Sequence, residues 1–190
     1  MNKKLGIDID GTITCPTTFV PYINESFHMN ITLNDMTEYD LRPLLKVNDE
    51  QFWEWMNKVE PTIYKNAPLA KDAKSVLDIW KDHHELIYIS ARRDQYVPVT
   101  HEWFKDNQMH YHKIDLVGSH DKLEAVKRHK IDLFFEDKHD NACDISEECK
   151  IPVILFNTPY NQDPIPQNVI RVNDWVEARN WVDKYIKEQT

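Results

Sequence analysis

Glycine and cysteine are scarce: the 190 residues hold three of each. Cys15, Cys143 and Cys149 form an odd set without metal-binding spacing. That excludes a disulfide framework and suits a reducing compartment. The nine histidines show no ligand pair on one helix face, which argues against zinc. No apolar run approaches the roughly 20 residues of a membrane-spanning helix. Lys3 and Lys4 could open a signal peptide, but Asp8 and Asp10 interrupt the apolar run that follows. A cytoplasmic protein with no membrane partner is therefore expected. There is no basic stripe either. At a net charge of −9 the chain repels a phosphate backbone, so a nucleic-acid polymer is not an expected partner. A small anion is not excluded, because a bound cation and local amides outweigh a diffuse field. The length suits one well-cored domain with a small insertion, and a homodimer is left open.

What is present is concentrated in one string. Leu5-Gly6-Ile7-Asp8-Ile9-Asp10-Gly11-Thr12-Ile13-Thr14 reads as a buried strand ending on two carboxylates, a glycine and a hydroxyl. By itself the string is also compatible with a plain Asp-Gly turn closing a strand. Carboxylates at a strand end are costly unless paired, solvated or bound to a cation. A hard ion such as Mg²⁺ takes such oxygens. A carboxylate nucleophile with a second carboxylate as acid/base beside Mg²⁺ is suited to phosphoryl transfer through an aspartyl-phosphate.

Hydropathy periodicity organises the remainder. Strands are expected at residues 4–9, 85–90, 113–118, 132–135 and 152–156. Helices are expected at 68–83, 96–107, 121–130, 139–148 and from Asp174 onward. Residues 157–168 read as a polar, Pro-rich loop. Residues 16–67 differ: they lack strand-like runs and are rich in aromatics, Asn and acids. One helix is evident there, opened by the capping box Asn48-Asp49-Glu50-Gln51, carrying Phe52, Trp55, Met56 and Val59 on one stripe, and ended by Pro61. Trp53 lies off that stripe. Alternating strands and helices predict an α/β, Rossmann-like parallel sheet with helices on both faces. The expected domains are a core of residues 1–15 and 68–190 and a small helical cap of residues 16–67, inserted after strand one.

Ligands of such sheets gather at the carboxyl ends of the strands. Strand one ends in Asp8 and leads to Asp10. Strand two ends in Ser90, followed by Ala91 and Arg92. Lys122 opens the helix after strand three, and strand four ends in Glu136 and Asp137, with Asp140 beyond. Chemistry assigns Asp8 as nucleophile and Asp10 as acid, then base. Ser90 and Lys122 would bind the phosphoryl oxygens, and Lys122 would offset repulsion around Asp8. Asp8, Asp10, Asp137 and Glu136 are the metal candidates, Asp137 leading and Asp140 trailing. Taken singly, Ser90 reads equally as a strand-end cap, Lys122 as a solvated first-turn residue and Glu136-Asp137 as helix caps. Their common edge is what favours a site.

The strings IDIDGTIT, YIS, Lys122 ahead of DLFFED, and Glu136-Asp137 resemble, in order and spacing, the four motifs of the haloacid dehalogenase superfamily of phosphatases. Length and the cap directly after the first motif are similar to its 5'-nucleotidase (deoxyribonucleotidase-type) branch. The fourth motif departs from the common pair of aspartates. The resemblance implies a Mg²⁺-dependent phosphatase for a small phosphorylated substrate, most specifically a nucleoside monophosphate. It implies substrate contacts from Thr12, Ser90, Ala91 and Arg92. Phe19, Trp53 and Tyr64 are the candidates to stack on a base. A sugar phosphatase is the alternative, and a non-catalytic phosphate-binding module a second.

Overall fold

The computed structural model describes residues 2–189. Its frame is a six-stranded sheet of β1 (Lys4–Ile7), β2 (Glu85–Ser90), β3 (Lys113–Leu116), β4 (Leu133–Glu136), β5 (Val153–Phe156) and β6 (Val169–Val172). The order is β3-β2-β1-β4-β5-β6, and every neighbouring pair is parallel. The helices are α1 (Val20–Phe27), α2 (Arg42–Leu45), α3 (Asp49–Asn66), α4 (Ala73–Trp80), α5 (Val97–Asp106), α6 (Leu123–His129), α7 (His139–Cys149) and α8 (Trp175–Glu188). This is the α/β, Rossmann-like architecture that the periodicity predicts.

Strand alternation divides the core. Leu5, Ile7, Leu86, Tyr88, Leu133 and Phe135 face α4, α5 and α8, burying Trp80, Trp103 and Trp175. Ile87, Ile89, Phe134, Val153 and Leu155 face α6 and α7. Gly6 lies on that second face because Phe134 fills the space: a Cβ there would meet the ring at 2.4 Å. On the first face Trp175 stacks on Phe135 at 5.3 Å between centroids, and its indole donates to the Thr12 carbonyl at 3.1 Å. The core aromatics thus hold the turn that follows β1.

Ile7 pairs with Tyr88 on one side and Phe135 on the other. Asp8, Ser90 and Glu136 therefore end at one edge. The chain runs from β1 to β2 and β3 on one side and returns to β4, β5 and β6 on the other, the arrangement that opens a crevice in a parallel sheet.

Residues 16–67 leave and return through a narrow neck. Thr14 bridges Leu69 antiparallel, Cys15 N donates to the Pro68 carbonyl at 2.8 Å, and Ala70 N to the Ile13 carbonyl at 2.8 Å. Between these lie α1, α2 and α3, with their own apolar cluster of Ile23, Leu45, Trp55 and Met56.

Several details differ from expectation. Pro61 does not end its helix: α3 runs on to Asn66. An interior proline costs about 3 kcal/mol. Burying Ile63 and Tyr64 beyond it, against Tyr96, returns about 1.5–3 kcal/mol per side chain, enough to carry the helix through. Strand β1 stops at Ile7, because Ile9–Ile13 forms a wide turn closed by Thr14 N donating to the Ile9 carbonyl at 3.0 Å. Helix α4 begins only at Ala73, since residues 68–70 are spent on the neck. Strand β6 and helices α1 and α2 were not anticipated. β6 is a four-residue edge strand, Val-Ile-Arg-Val, whose apolar run Arg171 interrupts.

Candidate active site

Asp8 follows β1 directly, and its backbone N–H donates to the Phe135 carbonyl at 3.0 Å, which continues the ladder and aims the side chain into the crevice. Lys122, at the start of α6, is buried and reaches across. Its ammonium lies 2.5 Å from Asp8 Oδ1 and 3.0 Å from Glu136 Oε1. Glu136 is enclosed, and both its oxygens are occupied: Oε1 also accepts from Asn141 Nδ2 at 2.6 Å, and Oε2 from the Asp137 N–H at 3.0 Å. Asp137 accepts from the Tyr160 hydroxyl at 2.6 Å through Oδ2, and Asn161 Nδ2 donates to its carbonyl at 2.7 Å.

Asp8, Glu136 and Asp137 present carboxylate oxygens that all lie within 4.8 Å of one another, each residue buried. Three carboxylates share one ammonium. Burial first, then the Glu136 and Asp10 charges, raise the Asp8 carboxyl to about 7 against the pull of Lys122. Asp137 is raised well above the ordinary range, by burial and then by Glu136 and Asp8. Burial alone would lower the Lys122 ammonium, but Asp8 and Glu136 more than offset it and hold it above its usual value. An all-oxygen, buried, under-compensated set fits a hard divalent cation. Glu136, with both oxygens bonded, also orients Lys122 and Asp137.

Gly11 makes this packing possible. It takes φ +76°, and a Cβ there would fall 2.2 Å from Asp137 Oδ2. We expect Gly11→Ala to displace that carboxylate and to cost at least the ~1–2 kcal/mol of a left-handed alanine. Loss of activity together with a lowered unfolding midpoint is the expected pair of results. A fully active Gly11→Ala protein would show that Asp137 need not stay where it is.

Asp10 behaves differently. Its carboxylate is gripped by Arg92: Nε to Oδ2 at 2.8 Å and Nη2 to Oδ1 at 2.7 Å. Its side chain stands apart from the three-carboxylate cluster, with both oxygens turned to the guanidinium. Ser90 is buried, its hydroxyl accepting from Arg92 N–H at 3.3 Å. Thr12 is buried with a hydroxyl that has no partner among the described residues. Asp140 is exposed and pairs with Lys138 and His139, away from the cluster.

These groups open into a cavity of about 490 Å³ that Asp8, Asp10, Ser90, Ala91, Arg92, Lys122, Glu136 and Asp137 share with Phe19, Trp53 and Tyr64 from residues 16–67. Thr12 is not in its lining. Trp53 is half-exposed, whereas Tyr64 is buried with its ring 4.0 Å beneath the Arg92 guanidinium. Tyr39, Asn141, Tyr160 and Asn161 belong to the site and were missed. Tyr39 sits edge-on to Tyr160 at 5.8 Å and to His120 at 5.4 Å, closing the rim. The loop after β5 leaves from the same sheet edge, so the strand-end rule already pointed to Tyr160 and Asn161. For Tyr39 no local signal existed.

No protein-family model matches the chain. Among curated proteins it is 59% identical over 180 residues to a candidate nucleotidase, YqfW of Bacillus subtilis, covering 95% of this chain and 93% of that one. It is 31% identical over 182 residues to a nucleotidase of Clostridium acetobutylicum, covering 96% and 94%. Among solved structures the fold matches a haloacid dehalogenase-like hydrolase, SP0104 of Streptococcus pneumoniae, with TM-score 0.66 at 12% identity over 95% of this chain and 98% of that one. It also matches the HAD-hydrolase YfnB of Bacillus subtilis, described as bound to magnesium, with TM-score 0.63 at 10% identity over 96% and 99%. The sheet order and the strand-end carboxylates agree with the fold of these hydrolases, and the chain belongs to the family of these bacterial nucleotidases, enzymes that cleave phosphoric monoesters.

Proposed function

We propose that the chain is a cytoplasmic, Mg²⁺-dependent 5'-nucleotidase that hydrolyses (deoxy)nucleoside monophosphates through an aspartyl-phosphate on Asp8. The observation that carries this is Asp8 itself, buried beside Asp137, tied to Lys122 and facing a cavity walled by aromatics. Asp8 and Asp137 would hold the ion. When bound, the ion neutralises charge so that an anionic phosphate can approach an anionic nucleophile. An Asp8 oxygen attacks phosphorus as the bond to the leaving oxygen breaks, and Asp10 delivers a proton to that oxygen. Water enters, Asp10 takes its proton, and the new bond to phosphorus releases Asp8 and inorganic phosphate. Lys122 and Ser90 stabilise the phosphoryl oxygens in both halves. Residues 16–67 act as a cap that closes on the nucleoside, with Trp53 and Phe19 offering apolar faces. Tyr64 lines the same cavity, buried, with one face covered by Arg92 and Tyr96 packed against it.

The test is phosphate release from nucleoside monophosphates and sugar phosphates, with and without a chelator. Nucleotides are expected to be preferred, and EDTA to abolish turnover until excess Mg²⁺ restores it. Equal rates on sugar phosphates would refute the nucleotidase reading, and chelator-resistant turnover would remove the ion from it.

A further inference from the structure

Arg92 makes no contact with the three-carboxylate cluster, and its side chain has no exposed surface, yet it grips the partly exposed carboxylate of Asp10 in the cavity lining. Asp10 is 26% exposed and Arg92 0%. The guanidinium is fixed on three sides. Two parallel bonds run to Asp10, at 2.8 and 2.7 Å. The Thr100 hydroxyl in α5 accepts from Nη1 at 3.0 Å. Below, the plane of the group rests on the Tyr64 ring at 4.0 Å. Tyr64 is itself held. Its hydroxyl donates to buried Glu60 at 2.9 Å, and Glu60 also accepts from the Tyr96 hydroxyl at 2.6 Å and pairs with Arg93 at 2.5 Å. A side chain this constrained cannot reach out to a phosphate. It can only define where its partner sits.

We propose that Arg92 is the positioning residue for Asp10, and that Tyr64 and Thr100 form its seat. This rests on the reading of Asp10 as the group that passes a proton to the leaving oxygen. A planar fork matched to a planar carboxylate fixes orientation as well as distance. A single ammonium in the same place fixes neither. When one Asp10 oxygen carries the proton, the other still accepts from the guanidinium, so the carboxyl stays in register through both halves of the reaction. Small misplacements of a proton donor are costly to rate. The seat includes α3 of the inserted segment, so the fit of that helix against α5 reaches the reacting carboxyl through one arginine.

The test uses the full-length enzyme with Mg²⁺ and three aryl phosphates of rising leaving-group acidity: phenyl, 4-nitrophenyl and 2,4-dinitrophenyl phosphate. A misplaced proton donor slows departure of a poor leaving group and spares a good one. For Arg92→Met, kcat/KM should fall about 10²-fold on phenyl phosphate but stay within about threefold on 2,4-dinitrophenyl phosphate. With the latter, dinitrophenol should appear as a one-equivalent burst, because water attack on the phosphoenzyme is slowed as well. Arg92→Lys should show the same gradient with a smaller span. Tyr64→Leu, which keeps Arg92 and removes its seat, should do likewise and serves if Arg92→Met does not fold. An equal loss on all three esters, or no loss, overturns the proposal. Asp10→Asn, assayed in parallel, separates the two claims. If it too lacks the gradient, the role of Asp10 is what fails. If it has the gradient and the Arg92 variants do not, only the positioning claim fails.

Discussion

Asp8→Asn is expected to release no measurable phosphate from any ester. The amide cannot attack phosphorus, so the covalent route closes. Uncatalysed hydrolysis leaves no background, because enzymes accelerate such esters by up to roughly 10²¹. The same variant should not be less stable than the parent in EDTA at pH 8. In the folded protein the Asp8 carboxyl is raised from 3.8 to about 7, by burial and by Glu136 and Asp10. A carboxyl raised by folding ionises later than its unfolded counterpart. The resulting penalty therefore begins near pH 4, grows as pH rises, and is complete above about 7. Asparagine removes it, while its carbonyl still accepts from Lys122, which also keeps Glu136. The thermal shift produced by Mg²⁺ should shrink, since a ligand that binds only the folded state stabilises by the logarithm of its concentration over its dissociation constant, and weaker binding gives less. Phosphate assay and melting curves with and without Mg²⁺ check all three. Turnover in Asp8→Asn within reach of the parent would remove Asp8 as nucleophile, whatever the melting curves show.

That result would test the part of the site most visible in the sequence. The string around Asp8 and Asp10 is local, and the ends of β2 and β4 follow from it once the sheet is parallel, so Asp8, Ser90, Glu136 and Asp137 could be gathered at one edge without coordinates. Lys122 needed only the helix that begins there. What stayed hidden depends on contacts that chain order does not encode. Arg92 and Asp10 are 82 positions apart, and nothing in either neighbourhood announces a bidentate pair. Proximity in sequence places Asp10 with Asp8, whereas an arginine in the loop after β2 holds its side chain apart from the three-carboxylate cluster. Gly11 read as a turn residue, but its closer constraint is the Asp137 oxygen that a Cβ would strike. Pro61 read as a stop because propensity outweighs packing in a window of sequence, whereas in the fold Ile63 and Tyr64 find a buried surface beyond it. The insertion was legible as different in kind, and one helix of it by its capping box. Its α1 and α2 were not: α2 is a single turn, and α1 buries only Ile23 fully.

Lys122→Met should have the largest effect on stability. The methionine fills the volume of the lysine stem, so the change removes a charge and little else. It strands Asp8 and Glu136, both buried, without the ammonium that contacts them at 2.5 and 3.0 Å. Removing one partner from a buried ion pair costs about 3–5 kcal/mol. For a chain of this size each kcal/mol moves the unfolding midpoint by about 2–4 °C, so a fall on the order of 10 °C is expected in EDTA. Two further measurements decide whether charge is the cause. Mg²⁺ should raise the midpoint of Lys122→Met by more degrees than it raises that of the parent, because a divalent ion beside Asp8 and Asp137 supplies the missing positive charge. Glu136→Gln added to Lys122→Met should recover part of the loss, although Glu136→Gln alone also perturbs Asn141. Such coupling between contacting groups is what a double-mutant cycle reads. If the midpoint of Lys122→Met matches the parent in EDTA, the cluster does not depend on its one ammonium. The carboxylates must then be relieved some other way, by taking up protons or by opening to water, and the case for a site built to receive a cation weakens with it.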